Sequence, residues 1–166
     1  MKGPDISLRH LQRALTMELT TVNTYLLQER KLDDWGVDRL AERMREEIGE
    51  ETGHARAFLT RLLFLEGTAT VHDLDPICQD ESIREVFETQ LRMEREATAY
   101  YARAANECRE AGDLGSFDLF MTTLRDEEEH VDFVETQLRL IDLMGEQLYV
   151  ARQVSSMGRE NDEDED

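Results

Sequence analysis

Two short runs place a glutamate three residues before a histidine, Glu51-x-x-His54 and Glu127-x-x-His130. On a helix that spacing puts both side chains on one face, a turn apart. Each run has a matching acid 33 residues upstream, Glu18 for Glu51 and Glu94 for Glu127, and the two half-sites are offset by 76 residues throughout. A single E-x-x-H in so acidic a chain is mostly chance; two copies with matched upstream acids form a ligand set. Carboxylate and imidazole donors without thiolate suit iron or manganese, and zinc can also occupy them. Four ionised carboxylates in an apolar interior would each cost several kcal/mol. Two divalent cations carry four positive charges and cancel them with both imidazoles neutral.

The elements that must carry these residues are helices. Proline occurs only at positions 4 and 76, and apolar residues recur at three- and four-residue steps in four long segments. The register 8, 11, 15, 18, 22, 25 points Glu18 inward, and 40, 44, 47, 51, 54, 58 does the same for Glu51 and His54. Glu94 and the Glu127–His130 pair interrupt the other two apolar stripes in the same way. The expected helices are 6–33, 37–66, 82–111, 115–144 and a short 146–157, punctuated by Trp35-Gly36, Gly67 at a C′ position, a Ser82/Glu85 capping box, Gly112, Gly115 and Gly145. Tight turns make helices one and two, and three and four, antiparallel hairpins. In each hairpin the two acids are equidistant from the tip, and so lie at one height near mid-bundle. The 15-residue link Gly67 to Glu81 is long enough to run the length of a helix. The expectation is all-α: a four-helix bundle with one long crossover plus a short fifth helix, the ferritin-like arrangement.

Acids outnumber bases 38 to 19, for a formal charge of −19. That balance excludes nucleic acid and an anionic membrane as main partners and favours cations. The longest uncharged stretch, Leu19 to Gln28, is too short to cross a bilayer. The first residues lack the apolar run of a signal peptide, so the expected location is cytoplasmic. Cys78 and Cys108 fit neither a disulfide framework nor a zinc knuckle. The ferritin-like domain is expected over 1–158, with 159–166 as an acidic disordered tail. His10 is expected to be exposed, and His72 to sit in the crossover.

At these residues the chain resembles the bacterioferritins. Phe64-Leu65-Glu66-Gly67, Leu124-Arg125-Asp126-Glu127-Glu128-Glu129-His130 and Leu143-Met144-Gly145 match that family's pattern as the ligand positions do. The resemblance implies a twenty-four-subunit cage that oxidises Fe(II) with oxygen or hydrogen peroxide at an intrasubunit dinuclear iron site and stores Fe(III) mineral inside. It also implies that Glu18, Glu51 and His54 serve one iron and Glu94, Glu127 and His130 the other, with Glu51 and Glu127 bridging. The doubled E-x-x-H favours bacterioferritin over the haem-free ferritins, whose second half-site lacks the histidine.

One position departs from the family. Bacterioferritins bind haem through a methionine directly after the first E-x-x-H glutamate, and here that residue is Thr52. A hydroxyl does not replace a thioether, so a homopolymer is expected to lack haem bound in the usual way. Met44, two turns away, reads as core. The resemblance extends to bacteria with two subunit types, so this chain is expected either in a homo-oligomer or in a mixed cage with a haem-binding paralogue.

Tyr25, on the inward stripe, is either a donor or one-electron source for the site or an ordinary core tyrosine. Glu46, Glu47 and Glu50 either gather iron beside the site or, for Glu46 and Glu50, form a solvated face; Glu47 is on the inward register. Gly49 and Gly53 flank Thr52 inside a helix, where each costs about 1 kcal/mol relative to alanine, and close approach of a neighbouring subunit is the expected reason. The competing functions are a non-storage di-iron peroxidase, which usually carries a C-x-x-C module absent here, and a subunit that chiefly builds a mixed cage.

Overall fold

The computed structural model describes residues 1–155. Five helices follow one another: α1 (Asp5–Asp34), α2 (Asp38–Phe64), α3 (Ile83–Glu110), α4 (Leu114–Met144) and α5 (Glu146–Gln153). The acidic segment 159–166 lies outside the described residues.

The local signals that end these helices are chemical. Gly36 (φ 76°) and Gly112 (φ 79°) close α1 and α3 with paired backbone bonds, Gly36 N to Asp33 O with Val37 N to Leu32 O, and Gly112 N to Arg109 O with Asp113 N to Cys108 O. Ser82 caps α3 by accepting from Glu85 N at 3.1 Å. The expected capping box is only half made, because the Glu85 carboxylate accepts from Glu81 N at 2.7 Å. Asp113 caps α4 by accepting from Ser116 N, and it also pairs with Arg61 at the end of α2.

The α2 terminus corrects the reading of Gly67. Glu66, not Gly67, takes the left-handed conformation (φ 61°), with Glu66 N bonded to Leu63 O and Gly67 N to Leu62 O. Gly67 serves close packing: a Cβ there would lie 2.6 Å from Leu62 Cδ1, 2.9 Å from Leu8 Cδ2 and 3.0 Å from Leu62 O. The helix consequently ends at Phe64, two residues early. α5 ends at Gln153, four residues short of its expected end.

Side-chain pairs give the topology. On α1 and α3, His10 meets Glu107, Glu18 meets Tyr101, and Gln28 meets Gln90, so these helices run antiparallel. On α2 and α4, Glu50 meets His130, His54 meets Asp126, and Arg61 meets Ser116, again antiparallel. The crossover runs back along α1. Gln12 holds Thr70 through both its N–H and C=O (2.8 and 2.9 Å), Arg13 pairs with Asp75 at 2.8 Å, and buried Asp80 accepts from Gln28 and Thr89 at 2.7 Å each.

The core comes in two pieces. One is built around Leu11, Leu15, Phe58, Leu62, Tyr101 and Phe120, the other around Leu32, Met44, Phe87, Val134 and Tyr149. A layer of carboxylates and imidazoles divides them at mid-bundle. Met44 belongs to the second piece, as expected of a core methionine. His10 contradicts its expected exposure: it is 7% exposed, because its Nδ1 lies 2.8 Å from Tyr100 Oη and its Nε2 2.8 Å from Glu107 Oε2. His72 is exposed in the crossover.

Candidate metal centre

The dividing layer contains Glu18 and Glu94 (each 2% exposed), Glu51 and Glu127 (each 1%), His130 (7%) and the half-buried His54. All four bundle helices contribute, because each carries its acid where helical periodicity calls for an apolar residue. The donor atoms form two groups, each within 4.8 Å: Glu18, Glu51, His54 and Glu127, and Glu51, Glu94, Glu127 and His130. Glu51 and Glu127 belong to both, so the groups share two carboxylates. The sequence spacing brings all six expected residues together.

Both imidazoles turn Nδ1 toward the shared acids. His54 Nδ1 lies 3.4 Å from Glu51 and 3.3 Å from Glu127, and His130 Nδ1 lies 3.2 Å from Glu51 and 3.3 Å from Glu127. The contacts are off-axis, so His54 Nδ1, His130 Nδ1, Glu51 Oε1 and Glu127 Oε2 are buried without a hydrogen-bond partner. Four orphaned donor atoms converging on one space are what a pair of cations would satisfy. The opposite ring nitrogens are held by acids: His54 Nε2 by Asp126 at 3.3 Å, and His130 Nε2 by Glu47 at 2.9 Å and Glu50 at 3.1 Å. Such outer partners fix ring orientation and raise donor strength at metal sites.

Two tyrosines close the site from the apolar sides. Tyr25 donates to Glu94 and Tyr101 donates to Glu18, each across the α1–α3 interface. Tyr25 is therefore in contact with the site, whereas Tyr101 and Asp126 were not expected there. The 76-residue offset would have found both, since it relates Tyr25 to Tyr101 and Glu50 to Asp126 as it relates His54 to His130. Glu47 is buried as its register required. Glu46 is a solvated residue paired with Arg43 at 3.2 Å. Exposed Glu50 joins His54, Asp126, Glu129 and His130 around a cleft on the α2–α4 face. A second pocket, between α1 and α3 under the crossover, reaches Glu18, Glu94 and Glu127 from the other side.

Without cations the layer neutralises itself with protons. Burial, with repulsion from Glu51 and Glu127, pushes the Glu18 carboxyl well above the usual range. Glu94 rises for the same reasons. Burial opposes ionisation of Glu51 as well, but the two imidazoles outweigh it and bring that carboxyl to about 2. Burial works against charge on His54, yet Glu127 and Glu51 raise it to about 10; His130 is raised further, with Glu47 contributing. Burial first, then the adjacent carboxylates, lift both tyrosines well above their ordinary range.

Nothing in this chain explains Gly49 and Gly53. A Cβ at either would meet no atom within 4 Å, and both face outward with Thr52. Thr52 Oγ1 donates to Ile48 O at 2.7 Å. Among the described residues no helix is long and apolar enough to cross a membrane.

The ferritin-like domain family matches residues 8–144. Rhodobacter capsulatus bacterioferritin is 42% identical over 147 residues, covering 89% of this chain and 91% of that protein. Brucella melitensis bacterioferritin is 41% identical over 149 residues, covering 90% and 92%. Among solved structures, R. capsulatus bacterioferritin with a metal-free dinuclear site and haem iron superposes with a TM-score of 0.92 at 39% identity, covering 95% of this chain and 98% of that one. Mycobacterium tuberculosis bacterioferritin BfrA gives 0.92 at 37% identity, covering 93% and 98%. With the bundle, the crossover and the doubled half-site in place, the chain belongs to the bacterioferritin family of ferritin-like proteins.

Proposed function

We propose that this chain takes up two Fe(II) ions as substrate in the buried layer, oxidises them with oxygen or hydrogen peroxide, and passes Fe(III) to a store enclosed by a shell of such subunits. Iron storage with ferroxidase activity at a buried dinuclear site is the function of the family, whose members form cages of twenty-four. In this reading Glu18 and His54 hold one ion, Glu94 and His130 the other, and Glu51 and Glu127 bridge them. The supporting observation is the pair of donor groups sharing Glu51 and Glu127, with their inward atoms orphaned. Charge favours the chemistry: two Fe(II) cancel four carboxylates. Asp126, Glu47 and Glu50 stiffen the imidazoles from behind, while Tyr25 and Tyr101 orient the terminal carboxylates Glu94 and Glu18 by donating to them. The two apolar clusters pack against the layer on either side along the bundle axis.

Aerobic Fe(II) loading of the metal-free chain, followed by sizing with iron counted in the protein peak, tests this. Far more than two irons per chain in a large soluble particle is the storage outcome, and Glu94→Ala then slows oxidation at least about tenfold. Two irons per chain with the excess precipitating supports a non-storage di-iron enzyme instead.

Thr52 favours a second feature. Its hydroxyl is already bonded to Ile48 O, and the side chain offers no sulfur, so the residue does not fit the family's axial role toward haem. The chain is then a haem-free subunit, either alone or as the ferroxidase partner of a haem-binding paralogue. Stoichiometric haem in the chain purified alone would overturn this.

A further inference from the structure

The half-site symmetry breaks beside the two tyrosines. Tyr25 and Tyr101 are equivalent, but Tyr25 is preceded by Thr24 and Tyr101 by Tyr100. The Tyr100 and Tyr101 rings meet edge to face with centroids 6.1 Å apart, and Tyr101 donates to Glu18 in the metal layer. Tyr100 turns the other way, with its Oη 2.8 Å from His10 Nδ1. His10 Nε2 in turn lies 2.8 Å from Glu107 Oε2. Because His10 holds the Glu107 carboxyl below its usual range, Glu107 is an acceptor only. In the neutral imidazole Nε2 therefore carries the hydrogen, and Nδ1 is free to accept from the Tyr100 hydroxyl. A carboxylate fixing an imidazole so that its other nitrogen takes a hydroxyl proton is the logic of a hydrolase triad. Here, though, the hydroxyl belongs to an oxidisable phenol.

We propose that Tyr101, Tyr100, His10 and Glu107 form a one-electron relay that draws an oxidising equivalent out of the metal layer and parks it on Tyr100, whose phenolic proton moves to His10. The relay rests on the Fe(II)-oxidation reading and deepens it. Hydrogen peroxide needs two electrons and two protons to become two waters. When peroxide arrives with a single Fe(II) in the layer, that ion supplies one electron and solvent supplies both protons. Tyr100 supplies the second electron through Tyr101. As it does so, the Tyr100 O–H bond breaks, an N–H bond forms at His10 Nδ1, and a neutral phenoxyl radical faces an imidazolium held by Glu107. A second Fe(II), oxidised later, returns the electron, and the proton goes back to the phenol. The sum is two Fe(II) per peroxide with no hydroxyl radical released among the ligands.

The Tyr25 and Tyr101 hydroxyls donate to Glu94 and Glu18, acids of the metal layer itself. Tyr100 discharges into a base outside the site. Its charged surroundings are Arg13 on α1 and Arg103 and Glu107 on α3, with the Cys108 thiol nearby; Arg9 faces Glu107, and α4 presents the apolar Phe120 ring to His10. The Arg103 guanidinium stacks 5.1 Å from the Tyr100 ring. The Glu107 side chain is 38% exposed, so the far end of the relay reaches solvent.

Two measurements test the relay. In the first, the metal-free chain is oxidised by a photogenerated ruthenium(III) polypyridyl complex, and phenoxyl absorbance is followed. In the second, the chain carrying one Fe(II) receives hydrogen peroxide and is freeze-quenched for electron paramagnetic resonance, with ring-deuterated tyrosine identifying the radical. A tyrosyl radical is expected in both, and Tyr100→Phe removes it from both. His10→Gln slows its formation by about a hundredfold, the usual worth of a positioned base. Tyr101→Phe abolishes only the iron-dependent signal. An undiminished signal in Tyr100→Phe, or equal rates with and without His10, overturns the relay. So does a radical seen only with ruthenium while Fe(II) oxidation, followed by its own absorbance, proceeds normally. Absent Fe(II) oxidation overturns the functional reading instead.

Discussion

Filling the metal layer should expel protons, and their number follows from the geometry. In the metal-free chain Glu18 and Glu94 are pushed up by burial and by repulsion from Glu51 and Glu127. His54 and His130 are held as cations against the shared carboxylates, His54 up to about 10. Metal binding requires ionised carboxylates and neutral imidazoles. Two divalent ions therefore replace four protons, and the buried layer keeps the same net charge. Each proton released contributes about 1.4 kcal/mol per pH unit to the binding free energy. The two-ion constant should thus steepen by roughly 5 kcal/mol per pH unit around neutrality. Zn(II), which is redox-silent, serves as the probe. Calorimetric titration of the metal-free chain in buffers of different ionisation enthalpy counts the protons, with about four expected per two ions. Glu18→Gln should lower the count by one. A count near zero would mean that the carboxylates are already ionised and the imidazoles neutral in the metal-free chain, and would overturn this prediction.

The same titrations set the stability of the metal-free chain. His54 moves from 6.5 to about 10, so its contribution is whole below 6.5 and gone above 10; Glu18 and Glu94 act in the same sense, and Glu51, lowered from 4.5 to about 2, matters only in acid. The metal-free Tm should fall from pH 6.5 to 10, and saturating Zn(II) should raise it by more at the alkaline end. At the α2 terminus two adjacent substitutions should have opposite signs. Glu66→Gly relieves a left-handed non-glycine and should stabilise by about 0.5–1 kcal/mol, whereas Gly67→Ala collides with Leu62 and Leu8 and should cost about 1–3 kcal/mol in denaturant unfolding. Asp80→Ala strips the acceptor from Gln28 and Thr89 and should cost about 1–3 kcal/mol. It should also expose the crossover to limited proteolysis, a readout that distinguishes loosening of this strap from general unfolding.

The helices, the hairpins, the long crossover and the six candidate ligands were legible in the sequence because each is a local signal. An acid such as Glu94 interrupting an apolar stripe faces inward whatever packs opposite, since helical periodicity alone sets its direction. The matched 33-residue intervals place the acids at one height for the same reason. What packing alone decided is which partner each group meets. Tyr25 bonds the acid of α3 and Tyr101 that of α1 because those helices run antiparallel at close range, and no interval within one helix encodes that crossing. The orientation of both imidazoles depends on Asp126, Glu47 and Glu50 reaching across from the facing helix. His10 shows the difference most plainly. On its own helix it is a polar residue at the margin of the stripe, and it is buried only because α3 brings Tyr100 and Glu107 to its two nitrogens. Side-chain direction follows from the chain's own periodicity; hydrogen-bond partnership and protonation follow from long-range neighbours, which exist only once the bundle has closed.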